Sequence, residues 1–194
     1  KYTVAVAKAA ERVGFDELNF DYVRFPSDGN LADMKYPIWD GTKAKSDVIA
    51  EFFAYINEEL EETGVPISVD LFGFVTSNTD DLNIGQVLEK AAPYADFIAP
   101  MVYPSHYPDN YNGYANPAAY PYEIVFKAMS DASRRLTAAS SSPAKLRPWL
   151  QDFDLGADYT AAMIQKQQQA VHDAGLKSWM MWDPKNLYTK EAYH

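Results

Sequence analysis

The sequence predicts an α/β fold built on a parallel sheet, and three observations carry that reading. Amphipathic helical stretches alternate with short apolar runs, three of those stretches stop at a glycine (Gly14, Gly64, Gly175), and the runs end in acids and aromatics. A helix that stops at a glycine and feeds an apolar strand is the repeating unit of parallel sheets, whose strands need crossover connections.

Taken in order, the first helix is predicted over residues 3–13, with Gly14 as its stop, and feeds a strand over 17–25 that Pro26 closes. The second helix, 45–63, is charged on one face and feeds a strand over 65–74. Asp80, Asp81 and Asn83 read as a loop with a capping side chain, ahead of a third helix at 84–92 and a strand at 96–103. A fourth helix, 122–136, passes through an Ala- and Ser-rich linker into a strand at 146–153, and a fifth, 159–174, feeds 176–182. The Tyr-, Asn- and Pro-rich segment 104–121 is long for such a connection and is expected to form a lid or a wall over a cavity. Residues 165–169 read as a solvated helix face.

Five strands, each preceded by a helix, suit an open doubly wound sheet or a closed (β/α)8 barrel. No G-x-G-x-x-G or P-loop turn favours a nucleotide site, and the barrel is the expectation. Eight strands need roughly 250 residues, so the chain is expected to be the C-terminal part of one barrel domain, residues 1–194, holding about five βα units (strands 4 to 8). Two open edges would then need cover from a second chain or from the missing segment.

Composition narrows the partners. The 194 residues are 47% hydrophobic and 14% aromatic, enough for a sizeable core in one globular domain. A formal charge of −10, with no run of Lys or Arg, excludes nucleic acid and anionic membrane as expected partners and suits a neutral substrate. Zero cysteines exclude disulfides, thiolate catalysis and Cys-based metal sites. They fit a cytoplasmic or a secreted bacterial protein, and an extracellular or cell-envelope setting is the expectation. No apolar run approaches the ~20 residues of a membrane span, and the opening Lys1-Tyr2-Thr3-Val4 is no signal peptide. It begins in mid-helix without Met, as a fragment would.

The stretch Phe20-Asp21-Tyr22-Val23-Arg24-Phe25-Pro26 holds the leading candidates. Strand alternation puts Leu18, Phe20 and Tyr22 toward the helices and Asn19, Asp21 and Val23 on the other face. In the next strand Val69 and Leu71 take the helix side, and Ser68 and Asp70 share the second face. The two strands thus match as Asn19/Ser68 and Asp21/Asp70. Two carboxylates facing one cavity cannot both ionise freely, which makes one an acid and the other a base or nucleophile. A strand-end Asp that caps loop amides or pairs with Arg24 or Arg147 is the structural alternative. Later strand ends add Tyr103, His106, Trp149, Gln151, Asp152, Trp182 and Asp183, a set of rings and hydrogen-bonding groups suited to pyranose faces and hydroxyls. Trp179 and Tyr22 read as core. His172 lies in a helix and His194 at the terminus, so a zinc site is not expected, whereas a carboxylate site for Mg²⁺ or Ca²⁺ through Asp21, Asp70 and Asp152 stays open. No cofactor is expected.

Five segments in order, 20–26, 68–73, 98–107, 147–153 and 179–183, resemble a bacterial family of TIM-barrel proteins classed as glycoside hydrolases and long carried as a domain of unknown function. The resemblance covers nearly the whole chain. It implies a retaining barrel similar in plan to the α-amylase and α-galactosidase groups, with Asp21 as the nucleophile ending the fourth strand and Asp70 as the acid/base on the fifth. Amylase-like enzymes more often use Glu there, so Asp70 departs from the pattern and Asp152 stands in reserve. Arg24 is the expected cationic partner of Asp21. Two rivals stay open: a non-catalytic carbohydrate-binding or envelope scaffold barrel, and a carboxylate-metal hydrolase.

Overall fold

The computed structural model describes residues 1–193; His194 lies outside them. The helices are α1 (Tyr2–Arg12), α2 (Lys45–Leu60), α3 (Leu88–Ala91), α4 (Pro121–Ala138) and α5 (Ala161–Asp173). They alternate with β1 (Leu18–Phe20), β2 (Ile67–Phe72), β3 (Phe97–Met101), β4 (Trp149–Gln151) and β5 (Met180–Trp182). The helix stops work as the sequence predicts. Gly14, at φ +99°, sends its N–H to the Glu11 carbonyl (2.9 Å), and Phe15 reaches back to Ala10 (3.3 Å). Gly175 ends α5 in the same way, with Leu176 bonded to the Val171 carbonyl at 3.1 Å. Only a residue that tolerates left-handed backbone turns the chain this sharply from helix to strand.

Every strand pairs in parallel with its sequence neighbour, and the order is β1-β2-β3-β4-β5. A doubly wound sheet reverses its order at a switch point, and this one does not. The architecture is five adjacent units of a (β/α)8 barrel, open between β5 and β1. Two side-chain links show the sheet to be curled. Arg147, just before β4, pairs with Glu17, just before β1, three strands away, and Trp149 on β4 reaches Asp70 on β2 across the intervening strand. Flat strands at ~4.8 Å spacing would hold the first pair's backbones about 14 Å apart, so the curl brings them within reach.

The strands are shorter than their apolar runs, because pairing stops where the chains diverge at the rim. The third helix is shorter too. Asp80 and Asp81 accept the N–H groups of Leu82 and Asn83 (3.0 and 2.9 Å), closing two side-chain turns. Leu82, Asn83 and Gly85 take positive φ, and α3 begins only at Leu88, with no side-chain cap. The acids expected to cap a helix therefore close turns instead.

Between the sheet and the helices lies the core. Leu18, Val69, Leu71, Ile98 and Leu150 from the strands pack with Phe53, Ile56 and Leu60 of α2 and Ile124, Met129 and Leu136 of α4. Each such aliphatic side chain stabilises the fold by ~1.5–3 kcal/mol when fully buried. Arg135 of α4 fastens the turn after β2 to this layer: it grips both oxygens of Glu89 (2.7 and 2.6 Å) and donates to the carbonyls of Val75 and Asn78. Replacing a mostly buried arginine leaves Glu89 and two carbonyls without a donor, so Arg135→Ala should destabilise by about 3 kcal/mol, read as a lowered urea midpoint.

Candidate active site

The C-terminal ends of the strands surround a cleft of about 420 Å³. Asp70 lies at its floor, 4% exposed. One of its oxygens, Oδ1, accepts from Asn19 Nδ2 (2.9 Å) and from Trp149 Nε1 (3.0 Å). Asn19 also donates to Ser68 (2.9 Å), its ladder partner, so the predicted polar layer forms in the expected register. Burial raises the Asp70 pKa from 3.8 to about 6. The Asn19 and Trp149 hydrogen bonds and the Arg147 charge pull it down, and the charge of Asp21 pushes it up.

Asp21 stands one residue beyond β1 and lines the same cleft from an exposed position. Its Oδ1 accepts the N–H of Tyr22 at 2.6 Å. That bond fixes a sharp bend, because Tyr22 takes φ +56°, uncommon for a residue with a side chain. The bend corrects the expectation that Tyr22 is core: it is 72% exposed and lines the cleft. Arg24 lines the cleft as well, but it does not pair with Asp21 among the described residues. Its guanidinium donates to Ser27 Oγ (2.9 Å) and the Phe25 carbonyl (3.4 Å) and sits 5.6 Å from the Tyr22 ring centre. The bend at Tyr22 carries Arg24 toward the 26–28 turn instead.

The far wall is aromatic. Tyr103, His106, Trp149 and Trp182 all line the cleft, with the two indoles edge to face at 6.0 Å. Burial first, then the charges of Asp70 and Asp21, push the Tyr103 hydroxyl far above its ordinary value, so it stays a proton-bearing donor. Burial also lowers the His106 pKa, which favours the neutral imidazole. The segment 104–121 forms a wall rather than a free lid: Tyr107 packs on Phe74 at 4.7 Å, and Asn116 and Ala118 are tied to Gly156 and Tyr159. Trp179 is half-buried against the main core.

Three expected ligand contacts are spent inside the protein. Gln151 is buried, accepting from the Ser105 N–H and hydroxyl (3.1 and 2.9 Å) and donating to the Phe153 carbonyl. Asp152 accepts from Thr189 and Tyr193, and Asp183 from the N–H groups of Lys185 and Leu187. Each had partners supplied by a neighbouring loop, so none lines the cleft. Among the described residues no cluster of three or more acidic, His or Cys side chains could hold a metal ion, and Asp152 does not join Asp21 and Asp70. Asn19 belongs to the polar layer that the strand register predicts and acquires its role through the bond to Asp70; no local signal marks Tyr22, whose backbone departs from the strand. A second, larger hollow of about 920 Å³ runs along α1, β1 and α2 and shares Asn19, Asp21, Tyr22 and Arg24 with the cleft. It is apolar and follows the open edge, whereas the cleft also holds Asp70 and the aromatic wall.

Strands wound in chain order, with two carboxylates and a ring of aromatics at their C-terminal ends, define a (β/α)8-barrel protein with its site on the usual face. The chain belongs to the family described as "Putative glycosyl hydrolase domain", which matches residues 1–188. No curated protein matches the sequence. Among solved structures it is similar to the glycoside hydrolase domain of PgaB (BpsB) from Bordetella bronchiseptica, at 16% identity and TM-score 0.53 over 72% of this chain and 37% of that one. It is similar also to the spore cortex-lytic enzyme SleL of Bacillus cereus, at 12% identity and TM-score 0.63, covering 98% of this chain and 51% of SleL. A chitinase of Chromobacterium violaceum aligns at 14% identity and TM-score 0.63, over 98% of this chain and 68% of that one. At these identities the likeness is one of fold. The chain spans 37% of the length of the PgaB structure, 51% of SleL and 68% of the chitinase. No helix among the described residues is long and apolar enough to cross a membrane.

The raised Asp70 pKa carries a stability consequence. The folded state holds this proton more tightly than the unfolded chain, so stability falls as pH rises from about 4 to about 6, and above that the full cost of a buried carboxylate is present. Asp70→Asn removes that cost. Relative to the parent, the variant should gain about 2 to 3 kcal/mol between pH 3.5 and pH 7.5, measured by urea denaturation at both.

Proposed function

We propose that this chain carries the catalytic carboxylates of a retaining glycoside hydrolase that cleaves a neutral or weakly charged poly- or oligosaccharide. One observation carries the reading: two carboxylates share a cleft in opposite environments, Asp70 buried and pushed toward the neutral form, Asp21 exposed. Environments that separate two acids in this way are how one fold supplies both an acid and a nucleophile.

In this reading Asp21 attacks the anomeric carbon while Asp70 protonates the departing oxygen; Asp70 then takes a proton from the water that releases the sugar. Asn19 and Trp149 both bond to Oδ1, which leaves Oδ2 to carry the proton. Tyr103 supplies a fixed donor, and Trp149 and Trp182 offer faces for sugar rings. Arg24 is the one cationic residue lining the cleft among the described residues, and the net charge of −10 disfavours polyanionic substrates. We propose in addition that further βα units of the same polypeptide cover the β1 edge. The apolar hollow there and the exposed Tyr2, Val6 and Phe15 support this.

The test is a glycan panel assayed for released reducing ends with the full-length protein. Asp21→Asn is expected to abolish turnover while sugar binding persists, and Asp70→Asn to lower the rate by about 10²–10⁴-fold. Turnover should fall as pH rises above about 6, where Asp70 loses its proton. Binding without any product would favour a non-catalytic barrel, and full activity of the Asp21 variant would remove it as nucleophile.

A further inference from the structure

Arg24 is a cation held at the cleft with no carboxylate paired to it among the described residues. The bend after β1 fixes its backbone: Asp21 Oδ1 accepts the Tyr22 N–H at 2.6 Å, and the Arg24 N–H returns to the Tyr22 carbonyl at 2.9 Å, closing a three-residue turn. Phe25 then anchors the exit. Its N–H donates to the Ile84 carbonyl (2.8 Å), and its buried ring packs on Tyr36 and Trp39 at 5.4 and 5.0 Å. Within this turn Tyr22 keeps φ +56°, a conformation that persists only where its surroundings enforce it.

One nitrogen holds the guanidinium. Nη1 donates to Ser27 Oγ (2.9 Å) and to the Phe25 carbonyl (3.4 Å), while Nε and Nη2 meet no acceptor among the described residues. The two acids nearest in the chain are turned to other donors, Asp21 to the Tyr22 N–H and Asp28 to the Ser27 hydroxyl (2.8 Å). An unpaired Nε/Nη2 edge is the fork that matches a carboxylate in two parallel hydrogen bonds. Next to the cleft, and sharing Tyr22 and Arg24 with it, lies a hollow of about 260 Å³ lined also by Pro26, Ser27 and Asp28. Neither Asp21 nor Asp70 lines that hollow, so a ring bound there is not the one being cleaved, and an anion there stands apart from both charges.

We propose that Arg24 is a specificity-determining residue whose open edge receives the carboxylate of an acidic sugar bound in this hollow, with the exposed ring of Tyr22 as the apolar face beside it. The inference rests on the sugar-site reading above and narrows its substrate to a chain that carries carboxylates singly, between neutral sugars. One cation lines the cleft, whereas Asp21 and Asp28 flank it and the net charge is −10. A run of adjacent carboxylates would be repelled.

The experiment uses the full-length protein, titrated by intrinsic tryptophan fluorescence with two acidic probes and the carboxyl-reduced twin of each. One probe is a hexasaccharide alternating glucuronate with N-acetylglucosamine; the other is a peptide-free hexasaccharide alternating N-acetylmuramic acid with N-acetylglucosamine. The parent is expected to bind at least one acidic probe about tenfold more tightly than its twin in low salt. Which probe shows the preference separates a carboxylate on the ring from one on an ether side chain. Arg24→Gln should bring the ratio to about one, and Arg24→Lys should keep only part of it, because a point charge lacks the paired geometry; the Lys variant also serves if the Gln variant does not fold. Salt on the order of 1 M should shrink the preference of the parent and leave the ratio in Arg24→Gln unmoved, a response that a merely structural arginine would not give. A parent that binds the twins as tightly as the acidic probes, or an Arg24→Gln variant that keeps the preference, overturns the inference while the sugar site stands. Failure of the parent to bind any of the four probes overturns the sugar-site reading, and the acidic ligand with it.

Discussion

The Asp70 carboxylate is the interaction on which the rest of the site depends. It gathers Asn19 from β1 and Trp149 from β4 onto one oxygen of a β2 side chain, so four adjacent strands must curve around it. Beneath it Arg147 and Glu17 close a longer chord between the same outer strands. Apolar packing of Leu71, Ile98 and Leu150 against the helices supplies the stability, while these polar links set the curvature. Removing a partner from such a group costs more than the bond itself contributes, since a buried acceptor is left unpaired.

Curvature and chemistry are therefore coupled. The burial that raises the Asp70 pKa is the burial that comes from the curl, and the same curl aims Asp21, Tyr103 and Trp182 at one cleft. The carboxylates differ in environment because β1 ends early: pairing stops at Phe20, and Asp21 stands in the open one residue later, while Asp70 is still inside its ladder with β3. β1 ends level with Val69 while β2 runs on through Asp70 to Phe72, and that difference in strand length separates an exposed acid from a buried one.

Much of the architecture was legible in the chain. The glycine stops at Gly14 and Gly175, the faces of β2 and the Asn19/Ser68 match all follow from local rules of backbone freedom and two-residue alternation. Strand lengths and the third helix were not, since pairing ends where neighbours diverge and two Asp side chains captured the backbone of the 80–85 turn. Tyr22 shows the limit most sharply. Alternation assigned it to the core, and a single hydrogen bond from its own N–H to Asp21 turned it into the cleft.

By itself the sequence determined that helices and strands alternate, which strand faces are apolar, and that acids and aromatics gather at the strand ends, because those properties depend on neighbours a few residues away. The tertiary structure alone decided the order of the sheet and which acids face the cleft. Asp70 and Asp152 look alike as strand-end aspartates, yet one meets Trp149, 79 residues on, and the other Thr189, 37 residues on. An acid's role follows from what burial and curvature bring to it, and those partners are set by the whole fold.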